Sequence, residues 1–588
     1  MVTLRLVRHG YQHLRLLFTI DSTDLQHRFW TQAGLFWPQV NKHLLYAPMK
    51  NVRHNKEIQL SKAISVGTLP LRLHVLVLIF YLLSNVVYCL ILDFDQPSRA
   101  SLIAETRGRT GHLAVINLLV MFIFAARNNP LISLLGISFD TFNLFHRWIG
   151  RIIILESVAH VGCWIVNEVD ARGFPGIRNG LATDPFLQAG LVAVIAMVAI
   201  FLQTPSPIRH AFYEVFLHLH QVLAITVLVG IYYHANIASL PQKAMMYVIV
   251  TTWVIERSTR LLRLLYYNIS HRGMTEVHVE ALEGGACRAT FYIPRSWTSR
   301  PACHLYAYIP VISLWMSHPF SIAWVEQGQL RRRPSTFIPF SSTSTVVGPP
   351  NSSRRNSFSK RFSPSVISSW DAELQSFPKG KKNAAAITCI MAARSGMTSV
   401  LYHRARNAPN GILRLRAFVE GPYGGLDSLR SYGTVLLFAG GVGITHQLSH
   451  MRDLINGFKA GTCATRKLIL VWSVKNLDQA LWVAPLLKEL MDMPRDGRSV
   501  KAIIHVSQGT ADGRKGEKEM RVRDMVEGSL RSGRPRVQDI VEAEFVKRIG
   551  AMTVGVCGPG ALADDVRAAA RGVVTMGNVD FWEEAFTW

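Results

Sequence analysis

Hydrophobic and polar positions follow two different rhythms along this chain. Between Leu71 and Ile255 the apolar residues gather into six long blocks, roughly Leu71–Leu92, His112–Ala126, Phe142–Val166, Phe186–Leu202, Phe212–Ala235 and Ala244–Ile255. Each comes near the ~20 residues that cross a bilayer as a helix, although the second and last need flanking residues to reach across. From about Thr275 short alternating runs take over, such as Val277-His278-Val279 and Ala289-Thr290-Phe291-Tyr292-Ile293, which predict strands of a β-rich soluble unit. After Tyr432, strand-like and helix-like stretches alternate: Val435–Ala439, His446–Phe458, Leu468–Val474 and Ala480–Met491. That alternation predicts an α/β unit around a parallel sheet. No internal repeat shows in the sequence.

Two segments stand outside these rhythms. Residues 1–68 are mixed and basic, with no stretch long enough to cross a bilayer and no secretory signal, and read as an N-terminal cytosolic segment. Residues 326–384 are rich in Ser, Pro, Arg and Lys, as in Arg331-Arg332-Arg333-Pro334-Ser335 and Arg354-Arg355-Asn356-Ser357. Such a composition cannot bury enough apolar surface to order itself, so a disordered insertion is expected. Ser357 within it is either a phosphorylation site or an ordinary solvated serine.

Composition sharpens the two-part picture. The 588 residues are 49% hydrophobic, and the mean hydropathy of +0.18 is high for a soluble protein and low for one that is all membrane. The formal charge of +25 falls between the apolar blocks and over the Ser-rich segment, with no nucleic-acid motif. Positive charge beside a lipid surface accounts for it, and nucleic acid is not expected as a partner. The seven cysteines, Cys89, Cys163, Cys287, Cys303, Cys389, Cys463 and Cys557, form no C-x-x-C pair. This argues against a zinc site or a disulfide framework.

The third block contains His146 and His160, the fifth His220 and His234, and both pairs are fourteen residues apart. Fourteen residues fall about 40° short of four helical turns, so each pair shares a helix face, with about 21 Å between its members. The two blocks are separated by one span and cross in the same direction, which sets His146 level with His220 and His160 level with His234. Facing imidazoles at two depths suit two haems, each iron held from both sides. His218 competes with His220, but only His220 completes the spacing. A soluble C-terminal half that uses cytosolic cofactors puts the end of the sixth span in the cytosol, beside Arg257, Arg260 and Arg263. His146 and His220 then lie at the inner level and His160 and His234 at the outer one.

The β-rich unit carries His318-Pro319-Phe320-Ser321, and downstream Arg394-Ser395-Gly396-Met397-Thr398 offers glycine, hydroxyls and a cation for phosphate. Beyond Glu420-Gly421-Pro422-Tyr423-Gly424, the apolar run Val435–Ala439 leads directly into Gly440-Gly441-Val442-Gly443-Ile444-Thr445. A buried strand, a glycine turn and a helix start present free N–H groups to a pyrophosphate. Val556-Cys557-Gly558-Pro559-Gly560 repeats the strand-then-glycine pattern, and the chain ends in Phe586-Thr587-Trp588.

Taken in this order, these motifs resemble the fungal ferric-chelate reductases (ferric reductase transmembrane components), relatives of the NADPH oxidases, over nearly all of residues 40–588 outside the Ser-rich insertion. The resemblance implies a polytopic α-helical membrane bundle of about six spans (69–266). A ferredoxin-reductase-like module follows, a β-barrel FAD domain (272–430) and an α/β nucleotide-binding domain (431–588). It implies two b-type haems at His146, His160, His220 and His234. FAD is implied at His318, Pro319, Phe320, Ser321, Gly396 and Thr398, with Arg394 beside them. NADPH is implied at Gly440, Gly441, Gly443, Thr445, Cys557, Gly558 and Pro559. Lys475 matches a basic position for the 2′-phosphate of NADPH, and Phe586 or Trp588 a position that covers the flavin. The expected acceptor is a ferric or cupric chelate beyond the plasma membrane, or the vacuolar membrane. An iron permease or multicopper oxidase as partner would be inferred from the family alone. The rival readings are oxygen as acceptor, giving superoxide, and a haem-bearing membrane protein without turnover. Three departures stand out: no additional N-terminal span, Pro301-Ala302-Cys303-His304 before the flavin motif, and His446 where many relatives have proline.

Overall fold

A computed structural model describes residues 2–20, 24–50, 53–59, 65–96, 98–211, 213–271, 273–314, 316–327, 385–394, 396–493, 497–508, 515–526 and 530–584. Residues 328–384 of the Ser-rich insertion with Ser357, and also Ser395, Phe586, Thr587 and Trp588, lie outside the described residues.

The chain opens with helix α1 (Val2–Thr19). The membrane block follows as α2 (Arg72–Leu90), α3 (Arg99–Ala125), α4 (Phe139–Thr183), α5 (Pro185–Gln203), α6 (Tyr213–Ile237) and α7 (Gln242–Asn268). Five of these, α2 to α6, are long and apolar enough to cross a membrane. The sixth, α7, packs Met246 and Ile249 fully into the bundle core, then carries Arg257, Arg260 and Arg263 out of it. The second span is longer than its apolar stretch suggests because α3 begins at Arg99, capped by Ser98, thirteen residues ahead of His112. The third continues past its apolar stretch to Thr183, broken at Gly173, which adopts φ +67°.

The bundle buries little and exposes much. Asn85 is the one buried residue of α2, while Phe80, Leu83, Val87 and Leu90 face outward. That inversion is what lipid requires of a spanning helix. Its small core joins Ala114, Leu118, Ile149, Ile153, Ala196, Val227 and Leu228 from the central helices.

Past Asn268 come two antiparallel sheets around one core. The first orders its strands β7-β1-β2-β6-β5, from β1 (Glu276–Leu282), β2 (Ala286–Ile293), β5 (Trp324–Gln327), β6 (Ala385–Ala392) and β7 (Ile412–Arg416). The second orders them β8-β3-β4, from β3 (Cys303–Tyr308), β4 (Ser317–Ser321) and β8 (Phe418–Gly424). Val277, Leu305, Ile387 and Val419 from both sheets share the core with Met397 and Leu401 of α8 (Met397–Arg406). The insertion begins later than its composition suggests. Glu326 and Gln327 belong to β5 and pair with Ala386 and Ala385, so the Ser-rich segment leaves and re-enters between two neighbouring antiparallel strands. A hairpin tip is where a long loop adds least closure entropy.

The last unit is a six-stranded parallel sheet ordered β12-β11-β10-β9-β13-β14. Its strands are β9 (Thr434–Gly440), β10 (Lys467–Val474), β11 (Ser499–Val506), β12 (Leu530–Ser532), β13 (Met552–Cys557) and β14 (Val579–Glu584). Helices α9 (Ile444–Ala460) and α10 (Gly560–Val573) follow β9 and β13 directly. The strand order reverses between β9 and β13, the place where a doubly wound sheet opens a crevice for a ligand.

The N-terminal segment lies against this sheet unit. The Asp564 carboxylate accepts the backbone N–H groups of His54, Asn55 and Lys56 at 3.0, 2.8 and 2.9 Å. Arg571 donates to the carbonyl of Lys42, and Phe581 N–H to the hydroxyl of Tyr46.

Candidate electron-transfer site

The histidine spacing becomes geometry in α4 and α6. The rings of His146 and His220 lie 6.3 Å apart, centre to centre, and so do those of His160 and His234. The two helices are therefore parallel and in register, with one facing pair at each level. His218 is exposed, so of the two neighbouring histidines it is His220 that faces the bundle.

Three of the four rings are oriented by backbone. Nδ1 of His146 is 3.1 Å from the Met121 carbonyl, Nδ1 of His160 is 2.8 Å from that of Arg107, and Nδ1 of His234 is 2.9 Å from that of Phe186. A metal-binding imidazole commonly gives its second N–H to a carbonyl, which fixes its tautomer and turns the other nitrogen toward the metal. Imidazole–metal bonds of about 2 Å, with ring centres about 1 Å behind their nitrogens, hold two axial rings about 6 Å apart. The spacing at both levels fits a haem iron held from both sides.

Glycines make room for the outer pair. A side chain at Gly111 would meet His160 Nδ1 at 2.6 Å, and one at Gly190 would meet His234 Nδ1 at 2.9 Å. Each glycine lies one turn beyond the carbonyl its histidine uses, Arg107 before Gly111 and Phe186 before Gly190. The accepting carbonyls of α3, Arg107 and Met121, are themselves fourteen residues apart, matching the histidines they hold. At the outer level the α3–α4 and α5–α6 pairs thus repeat one arrangement of carbonyl, glycine and histidine. The sequence hides that repeat because little besides a few His and Gly positions is shared.

Beside the histidines lies a polar network that the sequence reading missed. Glu156 of α4 accepts from Asn117 at 3.0 Å, Asn117 also donates to Asn85 at 2.7 Å, and Tyr81 donates to Asn117 at 2.5 Å. The available signal was a lone carboxylate inside an apolar span.

On the β-barrel, His318, Pro319, Phe320 and Ser321 form β4, half-buried and paired to β3. Burial holds the His318 imidazole below its ordinary pKa, with Glu214 opposing. Next to β4, the structure assembles a charged joint. Glu420 of β8 is 4% exposed and receives Arg260 Nε at 2.8 Å, Arg127 Nη1 at 3.2 Å, Tyr308 at 2.8 Å and Tyr423 at 2.5 Å. The Arg127 guanidinium also lies 3.6 Å above the Tyr306 ring and 3.5 Å from Ser317 Oγ. Burial alone would raise the Glu420 carboxyl; the Arg260 hydrogen bonds and both guanidinium charges outweigh it and bring the pKa down to about 2. Arg127 comes from the turn just after α3 and Arg260 from α7, so this joint fixes the barrel to the inner end of the bundle. In the sequence Arg260 reads only as a cytosolic flanking charge and Glu420 only as the first residue of a Gly-Pro motif; nothing local shows that they meet.

At the flavin-phosphate candidates, Gly396 adopts φ +70° with open space where a side chain would be, and α8 begins at the next residue. The Thr398 hydroxyl accepts from Arg394 N–H at 3.1 Å, while the Arg394 side chain is exposed. Gly396 and Thr398 therefore form an open helix start immediately after β6, whose neighbour is the sheet containing β4.

The two glycine motifs of the sheet unit meet at its switch point. A side chain at Gly440 would collide with Pro559, one at Gly443 with the Cys557 carbonyl, and one at Gly558 would lie 2.8 Å from Gly440 N. Gly441 adopts φ +53°, and its carbonyl is held by the Trp472 indole at 2.9 Å. Thr445 bonds back to the Val442 carbonyl at 2.9 Å. Lys475 is exposed just past the end of β10, on the same edge of the sheet. His446, in place of the family's proline, is buried in the first turn of α9, 5.2 Å from His450 and 5.5 Å from Trp582. His304, from the altered Pro301-Ala302-Cys303-His304, stacks on Tyr423 at 5.9 Å. Burial lowers His304 and His450 to about 4. Trp582, three residues short of the undescribed end, places an aromatic ring in this crevice.

Two family models and several curated relatives match this chain. The family described as ferric reductase like transmembrane component matches residues 110–231, a stretch containing His146, His160 and His220. The ferric reductase NAD binding domain matches residues 432–571, containing both glycine motifs. "Ferric/cupric reductase transmembrane component 2" of Saccharomyces cerevisiae is 23% identical over 559 residues, covering 89% of this chain and 68% of the relative. "Probable ferric reductase transmembrane component" of Candida albicans is 24% identical over 564 residues, covering 89% and 72%. Among solved structures, a flavohemoglobin from Malassezia yamatoensis covers 83% of this chain and 98% of its own, at 13% identity and a TM-score of 0.33. The chain is thus similar to the ferric reductases in both its membrane part and its NAD-binding part, and these likenesses support an integral membrane oxidoreductase that draws on NAD(P)H.

Proposed function

We propose that this protein moves electrons from cytosolic NADPH through FAD and two b-type haems to a ferric or cupric chelate on the far side of the membrane. The carrying observation is the pair of imidazole couples, each 6.3 Å apart, stacked on one axis whose inner end is joined to the barrel through Glu420. The acceptor class follows the printed names of the relatives, among them a ferric/cupric reductase component. We assign residues 69–266 to the bis-haem bundle, 272–430 to the FAD domain and 431–588 to the NADPH domain. The membrane is the plasma membrane, or the vacuolar one.

Bound at these places, the nicotinamide supplies a hydride, the flavin divides its two electrons, and the haems pass them singly. The rest belongs to the chain's own residues. Gly440, Gly441, Gly443 and Thr445 open backbone N–H groups to a pyrophosphate where Cys557, Gly558 and Pro559 close the opposite wall. Lys475 offers charge to a 2′-phosphate from the sheet edge. His318–Ser321 line the flavin, with the open helix start at Gly396 and Thr398, and Arg394, available to its phosphates. His146 with His220, and His160 with His234, would each hold one haem between them, a setting that would favour electron transfer over binding of a small ligand. Acid–base catalysis at the acceptor is not required.

The test is to express the chain in membranes and record NADPH-reduced minus oxidised spectra while assaying external ferric chelate with and without superoxide dismutase. Haem reduction with dismutase-insensitive iron reduction is expected. A dismutase-sensitive signal would reassign the acceptor to oxygen, and absent haem reduction would overturn the electron path.

A further inference from the structure

Helix α1 is built inside out. The side chains it buries are polar: Arg15 and Thr19 are each 1% exposed. Arg15 donates to Ser431 Oγ at 2.9 Å and lies 4.0 Å from the centre of the Tyr432 ring, whose hydroxyl also receives Gln12 at 3.4 Å. The opposite side is apolar and open, with Leu6 66%, Val7 63%, Leu14 51%, Leu17 58% and Phe18 67% exposed. At about 100° per residue Val7, Leu14 and Phe18 share one line along the helix, with Leu6 and Leu17 flanking it. An ordinary surface helix does the reverse, turning its apolar stripe to the core. Five large apolar side chains aligned toward water would be a liability in a soluble protein.

Three observations say what covers this face. The Arg5 guanidinium reaches Gly136, where a side chain would come within 2.9 Å of its Nε. Gly136 closes the short helix Pro130–Leu135 between the second and third spans, on the same side as Arg127 and the barrel. The chain returns to that level at Asn41–Leu45, which packs against α2, directly after Leu35, Phe36 and Trp37, exposed 94%, 69% and 49%. Finally, residues 2–19 contain Arg5, Arg8, His9, His13 and Arg15 but no acidic residue, the charge sign that suits an anionic cytosolic leaflet.

We propose that α1 is an interfacial membrane helix. It sets Leu6, Val7, Leu14, Leu17 and Phe18 into the cytosolic leaflet, while its Arg15–Tyr432 contact ties the nucleotide-binding domain to that surface. Such helices combine a strong apolar face with low overall hydrophobicity and basic side chains. The inference rests on the proposed orientation of the bundle and not on the identity of the acceptor.

The test uses the full chain in vesicles of phosphatidylcholine and phosphatidylserine, with Cys89 and Cys163, the partly exposed cysteines, replaced by alanine. A spin label is placed by Leu14→Cys, Phe18→Cys or, as a control on the opposite side, His9→Cys. Labels at 14 and 18 should collide with oxygen, which concentrates in lipid, and be shielded from a water-soluble nickel chelate; the label at 9 should show the opposite. Nickel access at 14 and 18 overturns the proposal. Shielding from both reagents also overturns it, because a protein neighbour then covers the face. The measurement needs no turnover, so loss of haem or of iron reduction would count against the proposed function while leaving this result readable.

Discussion

At the outer level of the bundle, both histidines have a backbone carbonyl at hydrogen-bond distance and a glycine that makes room for the ring: Arg107 and Gly111 for His160, Phe186 and Gly190 for His234. At the inner level His146 has the Met121 carbonyl, while Nδ1 of His220 is buried without a hydrogen-bond partner. The inner level is instead adjacent to the Glu420 joint, which couples it to the barrel. The outer rings are held within the bundle, by two helix backbones and by the Phe186 ring stacked 3.9 Å from His234, whereas the inner end is fixed through contact with the soluble module. On the proposed electron path, the outer pair would keep its geometry without help from neighbouring domains, and the inner pair would keep its distance to the donor through the joint.

The sharpest way to break this comparison is to remove an outer ring. His160→Ala or His234→Ala should abolish reduction of an external chelate while NADPH oxidation with a soluble dye survives, as read in sealed vesicles. Next in size, Gly111→Ala or Gly190→Ala should push the ring off its carbonyl. Loss of such a supporting contact costs roughly 10–100-fold in metal-site affinity, so haem content should fall at the outer level and not the inner one. Glu420→Ala leaves Arg260 and Arg127 partly buried without their anion, a loss of about 3–5 kcal/mol by precedent for broken buried pairs. The expected readout is slower haem reduction by NADPH with dithionite reduction unchanged.

Acid should separate the two regions as well. His304 and His450, lowered to about 4 by burial, stay neutral when folded, while unfolded histidines titrate near 6.5. Between those values the unfolded chain binds more protons, so the soluble module should lose stability as pH falls from about 6.5 toward 4. Glu420, held to about 2, contributes stability above the unfolded carboxylate range and loses it only as pH falls below that range. Thermal melts of the intact chain from about pH 7 down to about pH 2 check both losses. The smallest effect is expected from Lys475→Ala. Losing one charge-assisted contact worth about 1.5 kcal/mol should raise KM for NADPH roughly tenfold and leave KM for NADH unchanged.

Much of this architecture could be read from sequence because the signals were periodic. Apolar blocks of spanning length, fourteen-residue histidine spacing and a strand that runs into a glycine turn each have a geometric reading that survives without contacts. What stayed hidden depends on long-range pairing. Asp564 meets His54–Lys56 across half a thousand residues, and Glu420 draws its arginines from the turn after α3 and from α7, so no local pattern announces either joint. The basic N-terminus carries too few consecutive apolar residues to span a bilayer, and which face of its helix is buried depends on Ser431 and Tyr432, some 416 residues away. The repeated outer-level arrangement is invisible in the sequence for a related reason. Helix packing against lipid tolerates nearly any apolar residue, so only positions that touch a ring repeat.

The most direct test of the proposed electron path is to count haem in the purified chain and titrate it spectroscopically. The account predicts two haems per chain with distinct potentials, one remaining in His160→Ala and in His234→Ala, and the other remaining in His146→Ala and in His220→Ala. One haem in the unaltered protein, or two retained after loss of any of these histidines, would contradict it.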